Sequence, residues 1–140
     1  MRLSASLKPV FSILLGLLSM NLMAEVQVEN AWMRLLPPTS KMTAAYMTLK
    51  SDRDDRLVGV STEIASAVEI HLSKMEDGVM SMREQSCLEL PANQPVELKP
   101  KSYHLMVMGL KAPLAAGQVH TFVLQFEQAG SLEVSVPVRD

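Results

Sequence analysis

Short runs of alternating apolar and polar residues, each closed by turn-forming residues, recur from residue 26 to residue 138. A period of two marks a half-buried strand, because successive side chains leave a strand on opposite faces. Val26, Val28, Asn30 and Trp32 form the first run, which Pro37-Pro38 stops. Ala44 to Lys50 make a second, closed by the charged loop SDRDD. A third starts at Leu57, Val58 and Val60, and a fourth spans Val68 to Met75. The fifth begins at Val79; Leu88 and Leu90 then precede the turn PANQP, and Val96 and Leu98 follow it. Tyr103 to Leu110, Val119 to Phe126 and Leu132 to Val138 complete the series. Helical periodicity is weak throughout, and TEIASAVE, residues 62–69, offers only a short helical turn. About eight or nine short strands predict an all-β domain, an antiparallel β-sandwich or barrel built from two packed sheets.

Ahead of these runs, residues 1–24 hold Arg2 and Lys8, the apolar run VFSILLGLL, and small and polar residues ending in Ala24. That is the layout of a secretory signal peptide, and the apolar run is too short to span a bilayer. A cleavable leader over 1–24 and one domain over 25–140 are therefore expected, with no membrane association after cleavage. Leu22, three before the cut, is the untypical residue, and no cysteine stands at the junction to take a lipid. Removing 24 of 140 residues leaves 116, enough for a single core. The formal charge of −2 falls to −4 without the two leader cations, and no basic cluster remains. Nucleic acid and anionic membrane surfaces are thus poor candidate partners. Cys87 is the only cysteine, so no internal disulfide is available and burial must hold the fold.

Eight of the 11 methionines follow the leader, and they gather beside histidines. The stretch HLSKMEDGVMSM begins with His71 and carries Met75, Met80 and Met82 around Asp77-Gly78. Asp-Gly between two patterned runs signals a type I′ hairpin, since both central residues need positive φ. With those two as the turn, Glu76 pairs Val79, Met75 pairs Met80, Ser73 pairs Met82 and His71 pairs Glu84. Paired residues share a face, as do residues two apart, so His71, Met75, Met80 and Met82 project together. In YHLMVM, His104 and Met106 sit at i and i+2 of a strand, about 6.6 Å apart and on one face. The two segments can therefore present two imidazoles and two thioethers. Soft, uncharged sulfur favours Cu(I) over zinc, calcium or magnesium. Each imidazole must be neutral to bind, so acid should weaken such a site.

A plainer explanation stands beside this one. Methionine is adaptable core filler, and a histidine on a strand is often a hydrogen-bonded structural group. A periplasmic β-sandwich scaffold with a Met-rich core is the alternative that this leaves open. Met75, Met80 and Met108 fall on the expected ligand face as shielding or packing. His120, beside Phe122, Leu124 and Phe126, reads as structural, and Cys87 as a small buried hydrophobe near Leu88 and Leu90. Glu69, Glu76, Asp77 and Glu84 surround the hairpin and could draw cations. A blue-copper centre needs a thiolate with two histidines, and no histidine closely follows Cys87. No nucleophile–base pair or phosphate-cradling loop points to an enzyme.

The spacing His71, ten residues, Met82, twenty-one residues, His104-x-Met106 resembles the signature of the PCuAC-like periplasmic copper(I) chaperones. AWMRLLPP, AAYMTL, MEDGVMSM, VELKP, YHLMVMGL and PLAAGQ are similar to that family's pattern over nearly all of residues 25–140. The resemblance implies a cupredoxin-like fold, a Cu(I) site of His71, Met82, His104 and Met106, and a periplasmic location. It also implies delivery of Cu(I) to a copper-accepting protein, either another periplasmic carrier or a cytochrome c oxidase subunit during assembly of the CuA centre. A monomer is expected. The sequence departs from the family at Leu72, where some members carry methionine, and at Lys101-Ser102, where Gly-Gly is frequent. It shows no Met- and His-rich segment before Asp140, so the implied site is the Cu(I) one.

Overall fold

A computed structural model describes residues 24–140, so the leader expected at the N-terminus lies almost wholly outside the described residues. Ten strands follow one another: β1 Val26–Arg34, β2 Met42–Ser51, β3 Asp55–Thr62, β4 Ala65–Glu76 and β5 Val79–Gln85. After them come β6 Leu88–Leu90, β7 Val96–Leu98, β8 Tyr103–Leu110, β9 Val119–Phe126 and β10 Gly130–Arg139. The all-β class holds, with one or two more strands than the runs suggested.

The two expected sheets are a single closed one. Strands run in the order β4, β8, β2, β1, β10, β9, β3, and β3 returns to β4 through Val60 and Val68. Closure removes the exposed edges that an open sheet would leave. The β1–β10 contact is parallel, joining Met33 to Val138 and Arg34 to Arg139, while the other pairings are antiparallel. Three long strands each divide one edge between two neighbours. β4 gives Val68 to β3 and Ile70–Glu76 to β5, so the β4–β5 hairpin runs on past the barrel wall.

The interior is filled from alternate positions. Leu105, Val107, Ala45, Leu49, Leu57, Phe122, Leu124 and Val136 are completely buried. On the neighbouring strands Ile70 pairs with Leu105 and Ala45 with Leu105, which fixes the inward face of β4, β8 and β2. Their alternate residues therefore face outward.

Two local expectations fail for identifiable reasons. β1 does not alternate smoothly, because Asn30 adopts a φ of 54° and the register shifts between Glu29 and Trp32. This bulge turns Met33 into the core at 0% exposure and sends Trp32 outward against Tyr46, with ring centres 4.7 Å apart. The helical turn considered near TEIASAVE is absent. Glu63 and Ile64 make a tight turn and β4 starts at Ala65, since pairing with β8 outweighs a weak local helical pattern.

Candidate metal centre

Asp77 at φ 49° and Gly78 at φ 75° form the two-residue turn between β4 and β5. The resulting pairs are Glu76–Val79, Met75–Met80, Ser73–Met82 and His71–Glu84, the register that an Asp-Gly turn dictates. His71, Ser73, Met75, Met80 and Met82 consequently leave the hairpin on its outward face.

On its other edge β4 meets β8, where His71 stands directly opposite His104 and Glu69 opposite Met106. The hairpin and the His104 strand are thus adjacent, and both imidazoles lie on one outer face of the barrel. Their ring centres are 5.8 Å apart with planes inclined at 51°. An imidazole–metal bond is about 2.0–2.1 Å, and a ring nitrogen lies about 1.2 Å from its ring centre. One ion shared by two rings therefore sets their centres about 5.2–6.4 Å apart, from tetrahedral to linear geometry. The observed separation falls inside that window.

Hydrogen bonding leaves one bare nitrogen on each ring. His71 Nε2 donates to Glu69 Oε2 at 2.8 Å, and His104 Nδ1 donates to the Ser102 carbonyl at 3.0 Å. Both partners are pure acceptors, so in the neutral rings the protons sit on those atoms. The lone pairs are then left on His71 Nδ1 and His104 Nε2. Both atoms are buried, and neither has a hydrogen-bond partner. A buried acceptor without a partner costs about 1–3 kcal/mol, and these are the only two such side-chain atoms among the described residues. A carboxylate or carbonyl on one ring nitrogen and nothing on the other is the arrangement of metal-binding histidines.

The Ser102 carbonyl is itself fixed, because it also accepts the Ser73 N–H at 3.2 Å. Its turn brings Lys101 to a φ of 67°, a conformation glycine adopts without strain. Lys101 thus carries a side chain in a conformation that glycine would adopt at lower cost.

A cavity of about 420 Å³ opens beside the His104 ring, with His104, Met106, Met82, Met80, Met42 and Tyr46 among its lining residues; His71 does not line it. Its lining is rich in sulfur and also includes the cations Arg34 and Lys101, with no carboxylate. Tyr46 is 5% exposed, and burial pushes its phenol above 10.0, with the Arg34 guanidinium pulling partly back. That guanidinium stands 5.5 Å from the Tyr46 ring centre. No cluster of three or more His, Cys, Asp or Glu that could hold a metal occurs among the described residues.

The sequence-predicted residues are distributed as follows. His71 and His104 face each other, Met106 lies two residues from His104, and Met82 borders the same cavity as His104 and Met106. Met82 is 54% exposed, whereas His104 is 3% exposed. Met108 pairs with Met42 one step along β8. His120 lies on β9, which pairs with β10 and β3, and it contacts Gln118 Oε1 at 3.1 Å. Cys87 is half-buried in the link between β5 and β6, with Sγ 3.8 Å from Glu89 Oε1, and does not sit in the core. Glu69 was legible only as a nearby charge; its place two residues before His71 on the same face was the signal for direct contact. Arg34 and Tyr46 carried no such signal.

Comparison with known proteins agrees with this architecture. The LpqE-like family model, described as "Putative lipoprotein LpqE-like", matches residues 26–138. The curated protein "Putative lipoprotein Lxx21020" of Leifsonia xyli subsp. xyli (strain CTCB07) is 36% identical over 118 residues, covering 82% of this chain and 70% of its own. The copper-bound PCuAC domain from PmoF2 superposes with a TM-score of 0.69 at 22% identity, over 81% of this chain and 92% of that one. The solution structure of CuI-DR1885 from Deinococcus radiodurans gives 0.65 at 32% identity, over 80% and 76%. The chain has the fold of the PCuAC domains, and it belongs to the LpqE-like family.

Proposed function

We propose that this domain is a copper carrier that holds Cu(I) through His71 Nδ1, His104 Nε2 and the thioethers of Met82 and Met106. The observation that carries the reading is the pair of facing rings, each with one nitrogen pinned by an acceptor and the other buried and bare. Neutral nitrogen and sulfur donors suit Cu(I), the state in which the ion is soft and needs no anionic ligand. A set of four donors leaves no open position for a substrate, so the role is carriage and not catalysis. The half-exposed Met82 supplies the donor that an incoming ligand can displace first. The exposed sulfurs also weigh against a Met-rich scaffold, because Met42, Met75, Met80 and Met82 are 40–62% exposed while, among the described residues, only Met33 and Met47 are fully buried.

By its likeness to the copper-bound PCuAC structures, the chain serves as an exported carrier that gives Cu(I) to a copper-accepting protein. Its kinship with lipoproteins supports export, and the periplasm with the CuA centre of cytochrome c oxidase is the destination that the sequence resemblance favours. X-ray absorption of the Cu(I)-loaded protein tests the site. A mixed shell of two nitrogens and two sulfurs is expected, and one sulfur should vanish in Met106→Leu. A shell without sulfur overturns the assignment.

A further inference from the structure

Met75, Met80 and Met82 are 62%, 40% and 54% exposed, and all three leave the β4–β5 hairpin on one face. The opposite face of the same hairpin presents Lys74, Glu76, Ser81 and Arg83 together with Leu72 and Val79, the latter 66% exposed, and no sulfur. A tip solvated on both sides gains nothing in packing by placing its thioethers on one of them, and grouped apolar exposure of this kind marks a binding surface. Met75 and Met80 are direct cross-strand partners, with backbones about 4.5–5.5 Å apart. Met80 is two residues from Met82, about 6.8 Å along the strand. Met80 and Met82 both border the cavity that His104 and Met106 line. Sulfur thus runs in short steps from the hairpin tip to the buried imidazoles.

We propose that Met75 and Met80 form a second, weaker soft-metal station through which Cu(I) enters and leaves the inner site; this rests on the Cu(I) reading above. Two neutral thioethers hold the ion loosely, and a donor of the delivering molecule completes its shell. Transfer inward begins as a one-for-one exchange. Met82 sulfur bonds the ion as the external donor leaves, Met106 and His104 follow as Met75 and Met80 are released, and His71 then adds without displacement, raising the shell from three donors to four. Copper stays Cu(I) throughout, so no electron moves, and thioethers carry no proton to lose.

The test uses protein labelled with 13C at the methionine methyls and titrated with Ag(I), a redox-inert soft cation. The Met82 and Met106 methyls should shift up to one equivalent, and the Met75 and Met80 methyls should shift and broaden beyond it. In parallel, a Met75→Leu, Met80→Leu variant keeps nearly the same volume at two exposed positions. Its inner-site Cu(I) affinity should stay within about twofold of wild type. Its transfer rate to a small aromatic Cu(I) chelator should fall about tenfold, as the prior capture step is lost. Met75 and Met80 methyls that stay fixed through several equivalents, or an unchanged transfer rate, overturn the station. Met82 and Met106 methyls that ignore the first equivalent overturn the inner site itself.

Discussion

Glu69→Ala separates the pinning of His71 from its role as a donor. The Glu69 carboxylate accepts the His71 Nε2 proton at 2.8 Å, which holds the ring angle and leaves Nδ1 with its lone pair. A hydrogen bond to a charged group contributes about 1.5–3 kcal/mol. The side chains are 15% and 30% exposed, so water screens part of this and the lower end, about 1.5 kcal/mol, applies. If that preorganisation is lost on binding, Cu(I) affinity should fall about tenfold, within the range for second partners of metal-binding histidines. Competition against a chromophoric Cu(I) chelator under anaerobic conditions measures it. Glu69→Gln keeps an acceptor for Nε2–H and should lose about threefold or less. The metal-free stability of Glu69→Ala should fall by no more than about 1.5 kcal/mol, and that of Glu69→Gln by less. Wild-type affinity in Glu69→Ala would refute the idea that this carboxylate orients the ring.

Elsewhere in the fold, Asp55 is 6% exposed and its carboxylate accepts the N–H groups of Arg56, Gln128 and Ala129 at 2.8–3.0 Å. Asp55→Ala strands the donors of the β9–β10 turn and should destabilise by about 2–4 kcal/mol in urea unfolding. Gly109 has a φ of 68°, and an added Cβ would lie 2.6 Å from Ser66 Oγ and 2.8 Å from Ser66 Cβ. Gly109→Ala should therefore cost about 1–3 kcal/mol and lower the thermal midpoint. For Tyr46, burial raises the phenol above 10.0, so the native state holds that proton more firmly than the unfolded chain does. The resulting stability is present below pH 10 and lost as pH rises through the native value. Ultraviolet titration should show one of the two tyrosines ionising late, and Tyr46→Phe should remove that part of the alkaline loss.

The hairpin could be read in advance because Asp77-Gly78 fixes a turn type, and the turn type fixes every pair from Glu76–Val79 to His71–Glu84. The meeting of His71 with His104 could not be read that way. It depends on β4 pairing β8 across three intervening strands, and period-two alternation gives each strand's faces without naming its neighbours. The same gap hid the parallel β1–β10 contact and left the choice between sandwich and barrel open. Asn30 illustrates a different failure, since an asparagine with positive φ shifts the alternation after it and exchanges the places of Trp32 and Met33. Burial of His104 beside an exposed Met82 was equally hidden, because alternation puts both on outward faces without telling which of them is covered.

Ile70 and Leu105 point into the barrel while His71 and His104, one residue along, point out of it. The packed core and the proposed copper donors thus occupy opposite sides of a wall one backbone thick. On the proposed reading, loading and unloading need no breach of the interior. For the same reason its donor types are open to redesign at every second position while the barrel stays intact.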